Sequence, residues 1–232
     1  MTCEGVSVLL VIAAHPDDET LGCGGAIARW VGKGARVVVR FLADGVGSRD
    51  DGTAPDPTTV AARRYAAKKA CGALGVSEAP YFGELPDNRL DTVPLLTITR
   101  QVEAFIDEYR PDTVLTHHAG DLNIDHRRVH EAVVTACRPQ PGYTVQRLLF
   151  FEIASSTEWQ PPGSAPAFTP NVFVDISSTL ERKLEALRIY GSEMRPWPHA
   201  RSVEAVEHHS RWRGATAGME AAEAFMLGRE LI

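Results

Sequence analysis

The fold of this chain is indicated first by residues 8–25, which read VLLVIAAHPDDETLGCGG. The apolar run over residues 8–13 ends at a histidine, a proline and two aspartates, a pattern that predicts a buried strand followed by a loop. Open α/β sheets build their functional sites at the carboxyl ends of such strands. We therefore expect His15, Asp17 and Asp18 to reach a site at that edge.

Apolar runs and helical patterns alternate along the rest of the chain. They predict strands over residues 8–13, 37–42, 113–116, 148–153 and 172–176, and helices over residues 21–31, 60–74, 95–109, 127–137, 180–190 and 203–226. This alternation predicts an α/β fold with a mostly parallel sheet and helices on both faces. Residues 44–57 and 159–170 are predicted loops, and with no sign of a second core we expect one domain over residues 1–232.

Composition narrows the class of partner. The chain has 232 residues, of which 44% are hydrophobic and 23% charged, and its formal net charge is -6. This acidic balance argues against a nucleic acid or an anionic membrane surface held by bulk electrostatics. No leader and no bilayer-length apolar run are evident, and the four cysteines form no Cys-x-x-Cys pair, so a reducing, cytoplasmic location is predicted. We expect Cys23 to be a buried thiol rather than a nucleophile.

Two clusters of potential metal ligands follow two predicted strands. His15 and Asp18 follow the first, and residues 117–126, with three histidines and two aspartates, follow the strand at 113–116. Two imidazoles and one carboxylate would leave a divalent ion with open coordination positions, the pattern of catalytic zinc, and the same donors suit iron(II). Strand alternation lets at most one of His117 and His118 face the site. Independent packing of each histidine is the alternative, and it explains the clustering less well.

Two motifs carry a resemblance to a known family. Residues 14–19, AHPDDE, together with residues 121–127, DLNIDHR, resemble the PIG-L/LmbE-like family of zinc-dependent N-deacetylases. Arg63, residues 85–91 and residues 222–225 extend the likeness over most of the chain. The resemblance implies a Rossmann-like three-layer α/β/α sandwich. It also implies a zinc ion held by His15, Asp18 and His126, with Asp17 as the general base.

The resemblance also implies contacts to substrate. Arg63 would hold sugar oxygens or a phosphate, and Asp87 would accept hydrogen bonds from sugar hydroxyls. The alternatives are a solvated helix face for Arg63 and turn chemistry for Asp87. His118 and His199 are further candidates for substrate contact, the latter in a proline-stiffened loop that could close over the pocket.

One position departs from the family pattern. Many members carry a histidine three residues before the last metal ligand, where this chain has Asn123. Asn123 can still donate a neutral hydrogen bond to an oxyanion. Asp125, or one of His117, His118 and His199, would then supply any charge that is needed.

The function that the resemblance implies is removal of an N-acetyl group from a small molecule that contains N-acetylglucosamine. We also consider an amidase acting on a mycothiol-type thiol-sugar conjugate, and a non-catalytic sugar-binding protein of the same fold. A dinucleotide-binding protein is disfavoured, because the glycines do not match G-x-G-x-x-G and the two aspartates would repel a pyrophosphate. The expected partner is a small amino sugar, with no nucleic acid and no membrane, and homo-oligomerisation is left open.

Overall fold

The described part of the chain, residues 5–47 and 56–232 of a computed structural model, forms a seven-stranded sheet. Its strands are β1 (Val8–Ala13), β2 (Arg36–Ala43), β3 (Tyr81–Leu85), β4 (Thr113–His117), β5 (Arg147–Phe151), β6 (Val172–Asp175) and β7 (Ala222–Glu230). Their order is β3-β2-β1-β4-β5-β7-β6. All neighbouring strands from β3 to β5 are parallel, and β7 is antiparallel to both β5 and β6. The predicted α/β class with a mostly parallel sheet is therefore confirmed.

Helices cover both faces of the sheet. They are α1 (Asp18–Gly32), α2 (Pro57–Ala73), α3 (Leu95–Tyr109), α4 (Ile124–Ala136), α5 (Leu180–Ile189) and α6 (Val203–Ala215). Alternate residues of β1 face opposite cores, as strand geometry requires. Leu9 and Val11 pack in the core that includes residues of α1, α2, α5 and α6, whereas Leu10 and Ile12 pack in the core beneath α3 and α4. The sheet therefore lies between two layers of helices, which gives the three-layer α/β/α arrangement.

The strand order changes direction beside β1. The chain runs outward from β1 to β2 and β3, then returns to place β4 on the other side of β1. At such a switch point the loops that leave two neighbouring strands diverge and open a crevice at their carboxyl ends. Both clusters of potential metal ligands begin at these two strand ends.

The glycines after the first motif allow α1 to approach the sheet closely. A Cβ atom on Gly22 would come within 2.5 Å of the Phe151 ring, and one on Gly25 within 2.8 Å of Ile176. Contacts that short do not occur, so any larger residue would displace the helix. The helical path also bends at Cys23, whose φ is -149°. Close packing therefore explains Gly22 and Gly25.

The observed secondary structure differs from the prediction at two places. The helix predicted over residues 203–226 ends at Ala215, and its last part is the strand β7. Gly218 turns the chain with a φ of +75°, and residues 222–225 alternate between the two faces of the sheet. The edge strand β3 was also not predicted, because its Tyr81 and Glu84 are exposed and give it no continuous apolar run.

The two predicted loops have different outcomes. Residues 159–170 contain no helix or strand, as predicted, whereas most of the loop predicted over residues 44–57 lies outside the described residues. Among the helices that are described, none has both the length and the apolar character needed for a membrane span.

Candidate active site

A polar cleft of about 180 Å³ opens at the carboxyl ends of β1 and β4. Most of the site residues predicted from the sequence line it, namely His15, Asp17, Asp18, Arg63, Asp87, Asn123 and His126. Asp125, His118 and His199 do not. The topology thus brings together side chains that are more than 100 residues apart in the sequence.

Three buried side chains present potential metal ligands at one point. One ligand atom from each of His15, Asp18 and His126 lies within 4.8 Å of the other two. Nδ1 of His15 is 3.5 Å from one carboxylate oxygen of Asp18, and Nε2 of His126 is 3.4 Å from the other. The sequence places them there because β1 ends just before His15 and α4 starts just before His126.

The opposite nitrogen of each imidazole has a carboxylate partner. Nε2 of His15 lies 2.9 Å from Asp125 and 2.9 Å from Asp87, and Nδ1 of His126 lies 3.1 Å from Asp121. Metal-ligating histidines are generally oriented by such a partner on the second nitrogen. The nitrogens that would bind a metal ion are therefore the ones that face Asp18.

Electrostatics at this cluster favour positive charge. Burial opposes a charge on His126, but Asp18 and Asp121 raise the pKa of its imidazole to about 9. Burial likewise opposes ionisation of Asp18, but the adjacent His126 holds the pKa of that carboxyl well below its usual range. A buried set of two imidazoles and a carboxylate that attracts positive charge fits a divalent cation.

Asp17, which lies between His15 and Asp18 in the sequence, has an unusual backbone conformation. Its φ is +113°, a region that L-residues other than glycine rarely adopt. The conformation is held because the Asp17 N–H donates to the Glu19 carboxylate at 3.0 Å, and the Asp17 carbonyl accepts from the N–H groups of Thr20 and Leu21. Such strain persists where the surroundings determine it and is concentrated at functional sites.

The Asp17 carboxylate is also fixed. Its Oδ2 accepts hydrogen bonds from Nη2 of Arg63 and from Nη1 of Arg201, each at 3.1 Å. Burial raises the pKa of this carboxyl, and the guanidinium groups of Arg201 and Arg63 offset part of the rise. Oδ1 makes no hydrogen bond within the described part of the chain and is available as an acceptor.

Arg63 is buried and each of its three guanidinium nitrogens contacts a protein group, which contradicts the alternative of a solvated helix face. Its Nε and Nη2 donate to the Pro16 carbonyl at 3.0 and 2.8 Å, Nη2 also donates to Asp17, and Nη1 pairs with Glu193. The guanidinium therefore ties α2 to the loop that follows β1.

Asp125 and Asn123 have local roles at the start of α4. Asp125 is buried behind His15 and accepts the N–H groups of Asn88 and Leu90 at 2.6 and 3.0 Å. It positions His15 and does not line the cleft. Asn123 caps α4 by accepting the Asp125 N–H at 2.8 Å, and its amide group donates to Asn88 at 3.3 Å. Its side chain reaches the cleft.

The structure does not bring His118 into the cleft. Its Nε2 lies 2.9 Å from the Pro166 carbonyl oxygen, and its ring contacts Phe168. The alternation predicted for this pair is observed, since His117 points inward and stacks on His126 with ring centroids 4.0 Å apart. Burial lowers the pKa of His117, and its Nε2 accepts the Ala14 N–H. His117 is thus a neutral ring that supports the cluster.

His199 also lies outside the cleft lining. Its Nδ1 accepts the Arg201 N–H at 3.0 Å, and its ring meets Trp159 edge to face at 5.5 Å. It shapes the loop that carries Arg201. The structure therefore gives no support for substrate contact by His118 or His199, because neither residue lines the cleft.

Several residues at the site were missed by sequence reasoning. Glu19 is buried, accepts hydrogen bonds from Thr20 and Tyr190 besides that from Asp17, and has its pKa raised to about 7 by burial. Glu19 and Asp121 stand inside the two motifs and could have been assigned positioning roles. Glu193 and Arg201 lie in the segment between α5 and α6, where no spacing marks them.

The thiol of Cys23 is not part of the site. It is buried and donates to the Glu19 carbonyl, and burial raises its pKa well above the usual range. A thiol that stays protonated is a poor nucleophile. This agrees with the expectation of a buried structural cysteine.

A comparison with protein families now identifies the chain. The model of the family described as PIG-L, GlcNAc-PI de-N-acetylase, matches residues 10–137, which run from β1 to the end of α4 and include both motifs. The chain belongs to the PIG-L family. The resemblance deduced from the two motifs is thereby confirmed.

Two proteins with sequences similar to this PIG-L protein are named as deacetylases. The chain is 32% identical to a diacetylchitobiose deacetylase from Thermococcus kodakarensis, over 81% of this chain and 70% of that one. It is 27% identical to a 1D-myo-inositol 2-acetamido-2-deoxy-alpha-D-glucopyranoside deacetylase from Saccharopolyspora erythraea, over 85% and 81% of the two chains. Among solved structures, the conserved protein TT1542 from Thermus thermophilus is similar with a TM-score of 0.74 and 28% identity, over 97% and 96%.

Proposed function

We propose that this protein is a metal-dependent hydrolase that removes the N-acetyl group from a small molecule containing N-acetylglucosamine. The observation that carries the proposal is the placement of Asp17, strained and held by two arginines, beside the cluster of His15, Asp18 and His126. The deacetylase names of the relatives support the reaction class and the amino sugar.

The metal would be held by His15, Asp18 and His126. A divalent ion bound there would lower the pKa of a water molecule and polarise an amide carbonyl. The donor set of two imidazoles and one carboxylate favours zinc, with iron(II) as the alternative. Asp125 and Asp121 would keep the two imidazoles in the required orientation.

Asp17 would act as general base and then as general acid. Its Oδ2 is occupied by Arg63 and Arg201, so Oδ1 would accept the proton of the attacking water. The same carboxyl can return the proton to the nitrogen of the leaving amine. Asn123 lines the cleft and would offer a neutral amide N–H to substrate oxygen.

The charges of the cleft support a neutral substrate. Four carboxylates, two guanidinium groups and one divalent ion would give a formal sum of zero, the charged side chains being those of Asp17, Asp18, Asp87, Glu193, Arg63 and Arg201. A neutral acetamide on a sugar would enter such a cleft without a large electrostatic penalty. Asp87 would accept hydrogen bonds from its hydroxyl groups. The single domain over residues 1–232 and the cytoplasmic location stay predictions.

The test is acetate release from a panel of free, nucleotide-linked and glycosidic N-acetylglucosamine compounds. The metal content of the protein is measured first, and an Asp17→Asn variant serves as the blank. Release that depends on Asp17 would support the proposal. Release of a larger carboxylic acid from a thiol-sugar amide would favour the mycothiol-type amidase instead. No hydrolysis by metal-loaded protein of any of these amides would favour the non-catalytic sugar-binding alternative.

We expect an Asp18→Ala variant to lose its bound metal. The substitution removes the only carboxylate of the proposed ligand set, and a three-ligand site that loses one ligand binds its ion much more weakly. Metal content after dialysis, measured by elemental analysis, checks this result. Asp107→Ala, at an exposed position on α3, is the control and should keep the wild-type content. Full metal content in Asp18→Ala would contradict the ligand assignment.

A further inference from the structure

We propose that Arg201 is a catalytic residue. Its guanidinium Nη2 donates a hydrogen bond to the carbonyl oxygen of the substrate amide and stabilises the negative charge that develops there. This inference rests on the proposed function. Hydrolysis of any amide builds negative charge on that oxygen, and donors that are held in place before the reaction stabilise it most effectively. A donor in the cleft that no protein group already uses could therefore fill this role.

Arg63 is not such a donor. Its Nε and Nη2 are directed to the Pro16 carbonyl, Nη2 is shared with Asp17, and Nη1 pairs with Glu193. The side chain is 6% exposed. Each of its three nitrogens is directed to a protein group, and redirecting one of these contacts to a substrate would leave a buried carboxylate or carbonyl unpaired.

Arg201 is held in place and still has a donor to offer. Nε donates to the Ser155 hydroxyl at 3.0 Å and Nη1 to Asp17 at 3.1 Å, while Nη2 makes no hydrogen bond within the described part of the chain. The guanidinium is planar, so these two bonds also fix the direction of Nη2. The side chain lines the cleft and is 19% exposed, so a ligand there can reach it.

The backbone around Arg201 is also fixed. Its N–H donates to the His199 ring at 3.0 Å, and its carbonyl accepts the Arg195 N–H at 3.1 Å. Asp17 therefore has two arginine partners. Arg63 anchors the loop after β1, and Arg201 faces the cleft. Because Asp17 would take the proton of the attacking water, Arg201 lies beside the reacting group and supplies a positive charge that Asn123 cannot.

The experiment compares kinetics and ligand binding in Arg201→Gln, Arg201→Lys and Arg195→Gln. Arg195 is the matched control, since it lies in the same loop, bonds to the carbonyls of Ser192 and Met194, and does not line the cleft. We expect Arg201→Gln to lower kcat by about 10²-fold with little change in KM, because the contact strengthens as charge develops. Arg201→Lys should recover part of the loss, and Arg195→Gln should match the wild type. All three should retain the wild-type metal content.

A binding measurement separates direct contact from an effect through Asp17. A methylphosphonamidate analogue of the acetamide carries the tetrahedral, negatively charged group that the contact would stabilise. Its Kd should rise about 10²-fold in Arg201→Gln and by a similar factor when the same change is made in Asp17→Asn protein. An unchanged Kd in the Asp17→Asn background would show that Arg201 acts only through Asp17 and would overturn the proposal.

The two proposals fail in different ways. If wild-type protein hydrolyses no member of the substrate panel, the proposed function is rejected. If the wild type is active and Arg201→Gln keeps its kcat, or if only KM rises, the role of Arg201 is rejected and the function stands.

Discussion

An Asp17→Asn variant is expected to keep its bound metal and to lose acetate release by about 10²- to 10⁴-fold, the range for removal of a general acid or base. The carboxamide has nearly the same shape, so its oxygen can still accept hydrogen bonds from Arg63 and Arg201. Its nitrogen would then stand where Oδ1 stood and cannot accept a proton. Acetate release at saturating substrate, together with metal content, measures both parts of the expectation.

The control for this variant is Asp107→Asn, the same chemical change at an exposed position of α3. It should have wild-type rate and metal content. If Asp17→Asn lost metal to the same extent as Asp18→Ala, the division between base and ligand would be wrong. If it kept both metal and rate, Asp17 would have no part in proton transfer.

The site residues that could be predicted lie in short, contiguous motifs of the sequence. His15, Asp17 and Asp18 follow one apolar strand, and His126 lies in the first turn of the helix after another. Parallel strands end at the same edge, so the local pattern was sufficient to place these groups near one another. The strand β1 and the helix α3 were predicted with the bounds that the structure has, because their apolar periodicity is unbroken.

Arg201 shows why the rest could not be predicted. It is 184 residues from Asp17 in sequence, and its contact depends on how the segment between α5 and α6 folds over the end of β1. The sequence favours His199 instead, two residues away, because it lies in a proline-stiffened loop that could close over the pocket. In a loop no periodicity tells which of two neighbouring residues faces a cleft.

The strand β7 was missed for a related reason. Its residues lie between β5 and β6, and those partners decide that the segment is extended. Ala, Glu, Phe, Met and Leu are all compatible with a helix, so local propensity favoured continuing α6. Tertiary pairing overrode that preference.

Glu223 in β7 supports the bend of α1 through hydrogen bonds to the helix backbone. Its carboxylate accepts the N–H groups of Gly25 and Ala26 at 2.9 and 2.7 Å, two donors close after the bend at Cys23. It also pairs with the ammonium group of Lys183 at 2.6 Å. Both ionic side chains are buried, with exposed fractions of 3% and 4%.

A Glu223→Ala variant is therefore expected to lower the free energy of unfolding by about 3–5 kcal/mol, the cost of breaking a buried ion pair by removing one partner. The change would leave the Lys183 ammonium buried with the Leu21 carbonyl as its remaining partner at 2.9 Å. Urea unfolding followed by circular dichroism measures the loss. Glu230→Ala, in the same strand but in a partly exposed pair with Arg147, should lower it by about 1 kcal/mol or less.

A second variant separates the ion pair from the hydrogen bonds that Glu223 accepts from α1. Replacing Lys183 with Met in the Glu223→Ala background removes the unpaired ammonium, so part of the lost stability should return, while the N–H groups of Gly25 and Ala26 remain unpaired. Full recovery would show that the hydrogen bonds from Gly25 and Ala26 contribute nothing to stability, and no recovery would show that the ion pair does not matter. Because α1 begins at Asp18, a change in the bend of this helix reaches the proposed metal ligand directly. Metal affinity should therefore fall with stability in Glu223→Ala and remain at the wild-type value in Glu230→Ala.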